Sequence, residues 1–385
     1  MRLADPVRWG TLELPNRVLL APLAGVTDTP FRRICADYGA GLTYVEMLAS
    51  VAVIYKSRRT WEMLRRHPSE QRLGVQLTGR NVEEVTKAAA MLDREGFDTL
   101  DINMGCPVRK VVHSGSGSAF LKDPQRVSDT LASVKAVVTR PLSAKCRIGF
   151  TAETLNIDEI AVRMAGAGCD GITIHGRTRA CTYAAPVQYE QIHRGAEAAR
   201  AVRPDLPVIG NGNVFDRITG NLMLERTGVD GVMVSRGALG NPWIFRELTD
   251  PAFRQPTLEE WLDGVLRHFD YHKEYYGDTE YSARLMRKHL IWYANGFPFC
   301  APLRGFFNTV SSLADAQAEL RAYARRHPAS LRRYDDQAMS RMFKEDPKYQ
   351  MDRAIDRGVG DDGMEESDPS STPAAAPITT GEPAT

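Results

Sequence analysis

Residues 73–102 read LGVQLTGRNVEEVTKAAAMLDREGFDTLDI. A β-rich run from Leu73 to Leu77 gives way to Asn81-Val82-Glu83-Glu84, where Asn81 can cap a helix and a glutamate can complete a capping box. Val85, Ala88, Ala89 and Leu92 then recur at helical spacing until Gly96 offers a stop. A second β-rich run, Thr99-Leu100-Asp101-Ile102, follows at once. Strand, helix and strand in so short a stretch is the repeating unit of a parallel sheet.

The same alternation extends outward from residue 18 to about residue 235. Its other β-rich runs are Val18–Ala21, Leu42–Val45, Leu142–Cys146, Gly171–Ile174, Val208–Gly210 and Gly231–Val234. Eight such units predict an α/β fold closed as a (β/α)₈ TIM barrel. An open doubly wound sheet fits less well, because no Gly-x-Gly-x-x-Gly follows the first run. After Trp243 the alternation stops and helical patterns take over. The clearest opens with the capping box Thr257-Leu258-Glu259-Glu260 and predicts burial of Leu258, Leu262, Leu266 and Phe269. The expected organisation is a barrel over residues 1–245, a smaller all-α helical domain over 246–333, and a disordered acidic C-terminal tail over 334–385, rich in Pro, Ala, Ser and Thr.

Composition narrows the function classes. The 385 residues are 43% hydrophobic and 25% charged, as in ordinary globular proteins. No run approaches the length of a membrane span and no signal-peptide core follows Met1, so a cytoplasmic protein is expected. Cys35, Cys106, Cys146, Cys169, Cys181 and Cys300 are scattered, without zinc spacing or paired motifs, so neither a disulfide framework nor a metal is expected. The formal charge of +1 hides an asymmetry: residues 335–385 carry 5 Lys and Arg against 12 Asp and Glu. The remaining body is therefore basic and suits an anionic partner.

In such barrels chemistry gathers just beyond the C-terminal ends of the strands. The fourth run ends in Asn103-Met104-Gly105-Cys106-Pro107, followed by Ser114-Gly115-Ser116-Gly117-Ser118, a stretch able to act as a flexible lid. A thiol at Cys106 is protonated at neutral pH and can serve as an acid, or it can be a small buried apolar group. Lys145, ending the fifth run, is either a cation at the mouth or a surface lysine. His175-Gly176-Arg177-Thr178-Arg179 offers a titratable donor and two cations, with a structural histidine as the alternative. The seventh and eighth runs end in Asn211-Gly212-Asn213 and Ser235-Arg236-Gly237. Small residues there let backbone N–H groups approach a ligand, and Arg236 can grip an anion, which points to a phosphate-bearing cofactor.

Together these segments resemble the tRNA-dihydrouridine synthase family over nearly all of residues 10–320. The motifs that carry the likeness are Ala21-Pro22-Leu23-Ala24-Gly25-Val26-Thr27-Asp28 with Pro30-Phe31-Arg32, Gln76, Asn103-Met104-Gly105-Cys106-Pro107 with Lys110-Val111, Lys145, His175–Arg179, Asn211-Gly212 and Arg236. The resemblance implies FMN as cofactor, NADPH as reductant and tRNA as substrate. It implies that Pro22, Leu23 and Ala24 pack on the isoalloxazine and that Gln76 and Lys145 meet its polar edge, with His175 also on the cofactor. Asn211, Gly212, Asn213, Ser235 and Arg236 would cradle the phosphate, Cys106 would be the proton donor, and Asn103 and Arg177 would meet the tRNA substrate, as would Arg287 and Lys288. Leu23, Asn213 and Ser235 differ from the residues most common in the family. Contacts to tRNA are expected from Arg284, Arg287, Lys288 and His289 on one helix and Arg321, Arg325 and Arg326 on another, because spacing of three or four gathers cations on one face. A monomer is expected. Competing expectations are a flavin barrel acting on a free pyrimidine and a noncatalytic tRNA-binding protein.

Overall fold

The computed structural model describes residues 2–334, so the expected tail, apart from Tyr334, lies outside the described residues. Eight parallel strands form the barrel path of the sheet: β1 Val18–Leu20, β2 Thr43–Tyr44, β3 Leu73–Thr78, β4 Thr99–Met104, β5 Leu142–Arg147, β6 Gly171–His175, β7 Val208–Asn211 and β8 Gly231–Val234; a ninth short strand, Leu48–Ala49, pairs with the end of β3 off that path. Ladders run without a break from β2 through β8 and on to β1. A parallel bridge between Leu19 and Leu42 joins β1 to the β2 side, and Leu20 N–H donates to Leu42 O at 2.9 Å. The barrel predicted from the sequence is thus present and closed by this short contact.

Every second residue of a strand points to the same side. Val75, Leu77, Leu100, Ile102, Ala144, Cys146, Ile172 and Ile174 join the core beneath the surrounding helices. Their alternates, among them Gln76, Asp101, Asn103, Ser143, Lys145 and His175, therefore face the barrel interior. The bottom of that interior is closed by an antiparallel hairpin, Val7–Trp9 with Leu12–Leu14. Its Trp9 is wholly buried in a second core with Leu19, Leu42, Tyr44, Ile209 and Met233. Gly171 leaves the space that the indole fills, since a Cβ there would collide with the ring.

The helix expected after Asn81 spans Val82–Leu92, and Asn81 accepts from Glu84 N–H at 2.8 Å. Only half of the anticipated capping box forms, because the Glu84 carboxylate turns to Arg80 at 2.9 Å instead. Helix α1, Thr29–Asp37, begins at the cap Asp28 with Pro30 in its first turn. Beyond the barrel lie α2 Leu258–Tyr276, α3 Glu280–Asn295, α4 Ala301–Phe307 and α5 Leu313–Arg326. The predicted capping box at Thr257 and Glu260 is present.

The buried face of α2 is turned from the expected one. Trp261, Val265, His268, Phe269 and His272 go inward with Leu258, while Leu262 and Leu266 are only partly covered. Two histidines on that face hide it from a hydrophobicity pattern. The helix is stitched to α1 by Arg33 Nη1 to Glu274 at 2.6 Å, Tyr271 Oη to Asp37 at 2.7 Å and Tyr276 Oη to Asp28 at 3.0 Å. His289, expected at a tRNA surface, is buried against Phe31 and His268, so its ring is withdrawn from solvent.

Because Trp9 is the largest side chain under the barrel, Trp9→Ala should destabilise the fold by about 3–5 kcal/mol. Urea unfolding would report this as a lower midpoint with the slope unchanged. A midpoint equal to that of the unaltered protein would mean the hairpin closes the barrel without supporting it.

Candidate active site

Strand register sorts the inward residues into rows. Gln76, Asp101 and Ser143 are neighbours across β3, β4 and β5. Asn103, Lys145 and Thr173 form the next row, and Arg147, His175 and Asn211 the one at the mouth. These are the polar ends of strands whose other faces are apolar, so burial of one face presents the other to the cavity.

Cys106 follows β4 directly. Its N–H donates to Asn103 Oδ1 at 2.9 Å, and its carbonyl accepts from Ser118 N–H at 3.1 Å and Ser118 Oγ at 2.9 Å. Burial pushes its thiol pKa up, against the pull of the Val108 N–H and of the Arg147 and Lys145 cations. The thiol is therefore protonated at neutral pH. The segment expected to be a flexible lid is instead packed: Ser116, Gly117 and Ser118 are buried, and Gly117 N–H donates to Thr78 Oγ1 at 3.2 Å. Gly117 has φ +58°, and a Cβ there would lie 2.9 Å from the Cys106 carbonyl. This close approach under Cys106 is what a glycine permits.

Lys145, half-buried, stands beside Asn103 in the inward row, and its charge reaches the Cys106 thiol. Burial and the neighbouring Arg147 lower its pKa to about 8, while Asp101 acts the other way. Arg147 is buried, donating from Nε to Gly105 O and from Nη1 to Thr178 O, both at 2.8 Å. It ties the Cys106 loop to the loop after β6, a role that its place in the sequence run does not announce.

The loop after β1 carries Pro22, Leu23 and Ala24, the first two half-buried and the third exposed. Leu23 N–H donates to Thr27 Oγ1 at 3.0 Å, which folds the loop on itself. Gly25 is held from both sides: its N–H donates to Glu46 Oε2 at 2.6 Å, and its carbonyl accepts from Lys288 Nζ. Lys288 thus joins α3 to the barrel mouth. Arg287 is turned within the helical layer, donating to Val310 O at 2.7 Å and Thr309 O at 3.1 Å.

Beyond β6, β7 and β8 lies a cleft lined by His175, Arg177, Tyr183, Asn211, Gly212, Asn213, Phe215, Ser235, Arg236 and their neighbours, none of them acidic. Asn211 Nδ2 donates to Met233 O at 2.7 Å and to Ser235 Oγ at 3.1 Å, joining two loops. Asn213, at φ +51°, accepts from Arg177 at 3.0 Å and Arg236 at 3.3 Å. Gly212, at φ +126°, brings the backbone within 3.0 Å of Val187 if a Cβ is imagined. Arg236 also lies 4.6 Å from the Tyr183 ring and 5.5 Å from that of Phe215. No motif marks these two aromatics in the sequence.

The cleft is strongly cationic. Burial, Arg236 and Arg147 together lower Arg177 to about 10. Burial first, and then Arg147, Lys145, Arg177 and Arg236, hold His175 well below its usual pKa, so it is neutral. Arg177 is 1% exposed and donates to Tyr183 O at 2.9 Å and Ala185 O at 2.8 Å, so it also shapes the loop over the cleft. Cations gathered in a cleft whose lining holds no carboxylate favour an anionic group, and the glycine-bearing loops leave room for it. The residues present therefore fit a phosphate.

The family described as dihydrouridine synthase (Dus) matches residues 19–327. The chain is 36% identical over 312 residues to tRNA-dihydrouridine synthase B of Pasteurella multocida strain Pm70, covering 79% of this chain and 92% of that protein. It is 36% identical over 324 residues to tRNA-dihydrouridine synthase B of Escherichia coli strain K12, covering 82% and 97%. Among solved structures, 6-hydroxypseudooxynicotine amine oxidase from Pseudomonas geniculata N1 aligns with a TM-score of 0.50 at 15% identity, over 64% of this chain and 49% of that one. That likeness concerns the fold alone. With its barrel closed, its polar rows at the mouth and the family's match spanning both barrel and helices, the chain belongs to the dihydrouridine synthase family of oxidoreductases.

Proposed function

We propose that the protein reduces the C5–C6 double bond of specific uridines in tRNA to dihydrouridine, with FMN as its flavin and NADPH as reductant. The observation that carries this reading is a protonated thiol, Cys106, close enough to Lys145 and Arg147 to feel their charge, at a barrel mouth that also bears a cationic cleft suited to phosphate. The cleft residues Asn211, Gly212, Asn213, Ser235 and Arg236 would hold the FMN phosphate. Gln76, Lys145, His175, Pro22, Leu23 and Ala24 would border the ring. Bound there, the flavin supplies the hydride received by C6 of the base.

The chain's own residues supply the rest. Cys106 Sγ would deliver the proton to C5, and the nearby Lys145 ammonium would offset negative charge developing on the C4 carbonyl of the base. A pKa near 8 leaves Lys145 sensitive to such a partner, since a nearby anion restores the ammonium. Asn103 and Arg177 border the base. The barrel over 1–245 would hold the chemistry, and the helices over 246–333 would grip the tRNA body. Arg284, Arg321, Arg325 and Arg326 are exposed there, while Lys288 marks the seam. Extruding a stacked base costs a few kcal/mol, roughly, which such phosphate contacts offset.

Incubating the flavin-loaded protein with unmodified tRNA and NADPH should add two hydrogens to a uridine, detected by nucleoside mass spectrometry. If NADPH is oxidised but only free uracil or a related pyrimidine is reduced, the tRNA reading fails. Cys106→Ala should keep its yellow flavin and lose about 10²–10⁴-fold in turnover. Normal turnover would remove the thiol from the reaction. Arg236→Ala should bind FMN about tenfold to a hundredfold more weakly, as loss of a charged hydrogen bond implies. Equilibrium dialysis that found FMN affinity unchanged would displace the phosphate from this cleft.

A further inference from the structure

The interior of a barrel is ordinarily filled by branched apolar side chains. A carboxylate buried there costs free energy unless both oxygens are engaged. Asp101 is 2% exposed in that interior. Ser143 Oγ donates to its Oδ1 at 2.6 Å, and Gln76 Nε2 donates to its Oδ2 at 2.7 Å. An ionised carboxylate only accepts hydrogen bonds, so it decides which end of the Gln76 amide faces it. With Nε2 committed, Gln76 turns Oε1 to Asn103, whose Nδ2 donates at 2.8 Å. Asn103 then presents Oδ1 to the loop, accepting from Gly105 N–H at 3.1 Å and Cys106 N–H at 2.9 Å. Each link has one direction, and the direction begins at Asp101.

We infer that Asp101 is a positioning residue for Cys106: it orients the Gln76 and Asn103 amides so that an oxygen, not an NH₂ group, meets the Gly105 and Cys106 N–H groups. With the amides reversed, donors would face donors and the loop would lose both anchors. This rests on the reading of Cys106 as proton donor, but its structural content does not.

Burial raises Asp101 to about 6, against Ser143, Gln76 and the Lys145 cation. The other titratable groups that feel its charge are Tyr44 on β2, Cys146 beside Lys145 on β5, and Cys169 ahead of β6; burial pushes all three upward. None of the three changes charge between pH 5 and 7, and Lys145, at about 8, titrates above that window. The raised carboxyl directs the chain of amides while ionised and loses that ability as pH falls through about 6, where its new O–H can donate to Gln76 Oε1.

Asp101→Asn keeps the size but can face either way, which tests the direction itself. Turnover on tRNA would be measured against pH. Independently, alkylation of Cys106 by iodoacetamide would be followed by peptide mass spectrometry on protein with and without flavin. The variant should still take up flavin, while kcat falls by about ten- to a hundredfold, more than any change in KM for tRNA, as small misplacements of reacting groups do. The acid limb of kcat near pH 6 should disappear. Alkylation of Cys106 should quicken by about fivefold, in line with one lost hydrogen bond. A wild-type kcat, acid limb and alkylation rate would overturn the inference. Should Asp101→Asn not fold, Ser143→Ala removes one donor and should move the acid limb to higher pH, and an unmoved limb would also overturn it. If the unaltered protein makes no dihydrouridine, the proposed function falls and the alkylation comparison alone decides the role of Asp101.

Discussion

The structure depends on the closed parallel ladder, and above all on the period of two that it imposes. Once β1 to β8 are joined in register, each strand must send one set of side chains outward and the other inward. The outward set is apolar and meets the helices. The inward set grades from Leu19, Tyr44 and Met233, packed on the Trp9 plug at the bottom, to Gln76, Asp101, Asn103, Lys145 and His175 above. The hydrophobic effect drives the outer face, and the polar mouth is carried along by geometry. Active-site residues on or just after seven different strands need no direct attraction to be brought together.

Electrostatics at the mouth shows the opposite balance. Arg147 and Arg177 are buried, Arg236 and Lys145 are half-buried, and burial together with their crowding lowers the pKa of Lys145 and Arg177 and keeps His175 neutral. Crowded cations by themselves destabilise the fold. They are tolerated because the guanidiniums of Arg147 and Arg177 find backbone carbonyls, which bind a cation without neutralising it. The field is therefore left available for an anion while the side chains are already in place, so little ordering entropy remains to be lost on binding.

The helices beyond the barrel are fixed by a different kind of contact. Arg32 pairs with Glu70 at 2.6 Å, both fully covered, and also donates to Thr27 O at 2.8 Å. This pair secures the turn that carries Leu23 and Thr27. On the other side of α1, ring packing of Phe31, His268 and His289 seats α2 and α3. Lys288 reaches from that layer to Gly25. The helical layer therefore shares in building the mouth of the barrel.

All eight strands were legible in the chain, because strand formation reflects local pattern: β-rich runs, glycine stops and capped helices lie within a few residues of one another. The residues after those strands were also legible as a set, since topology places them at one end whatever their partners. The local pattern could not reveal partnership. Asp101 and Arg147 sit inside recognised runs, yet their roles arise from register, which pairs Gln76 with Asp101 and Arg147 with His175 across separate strands. The supposed lid at Ser114–Ser118 looked mobile by composition, but Thr78 and Cys106 hold it. His289 looked like a surface cation, but a covered aromatic neighbourhood keeps it neutral and inside. The sequence by itself determined which segments become strands and which residues stand at their ends, because those depend on short-range periodicity. Only the tertiary structure decided which donor meets which acceptor, because hydrogen-bond direction and burial are set by neighbours far away along the chain.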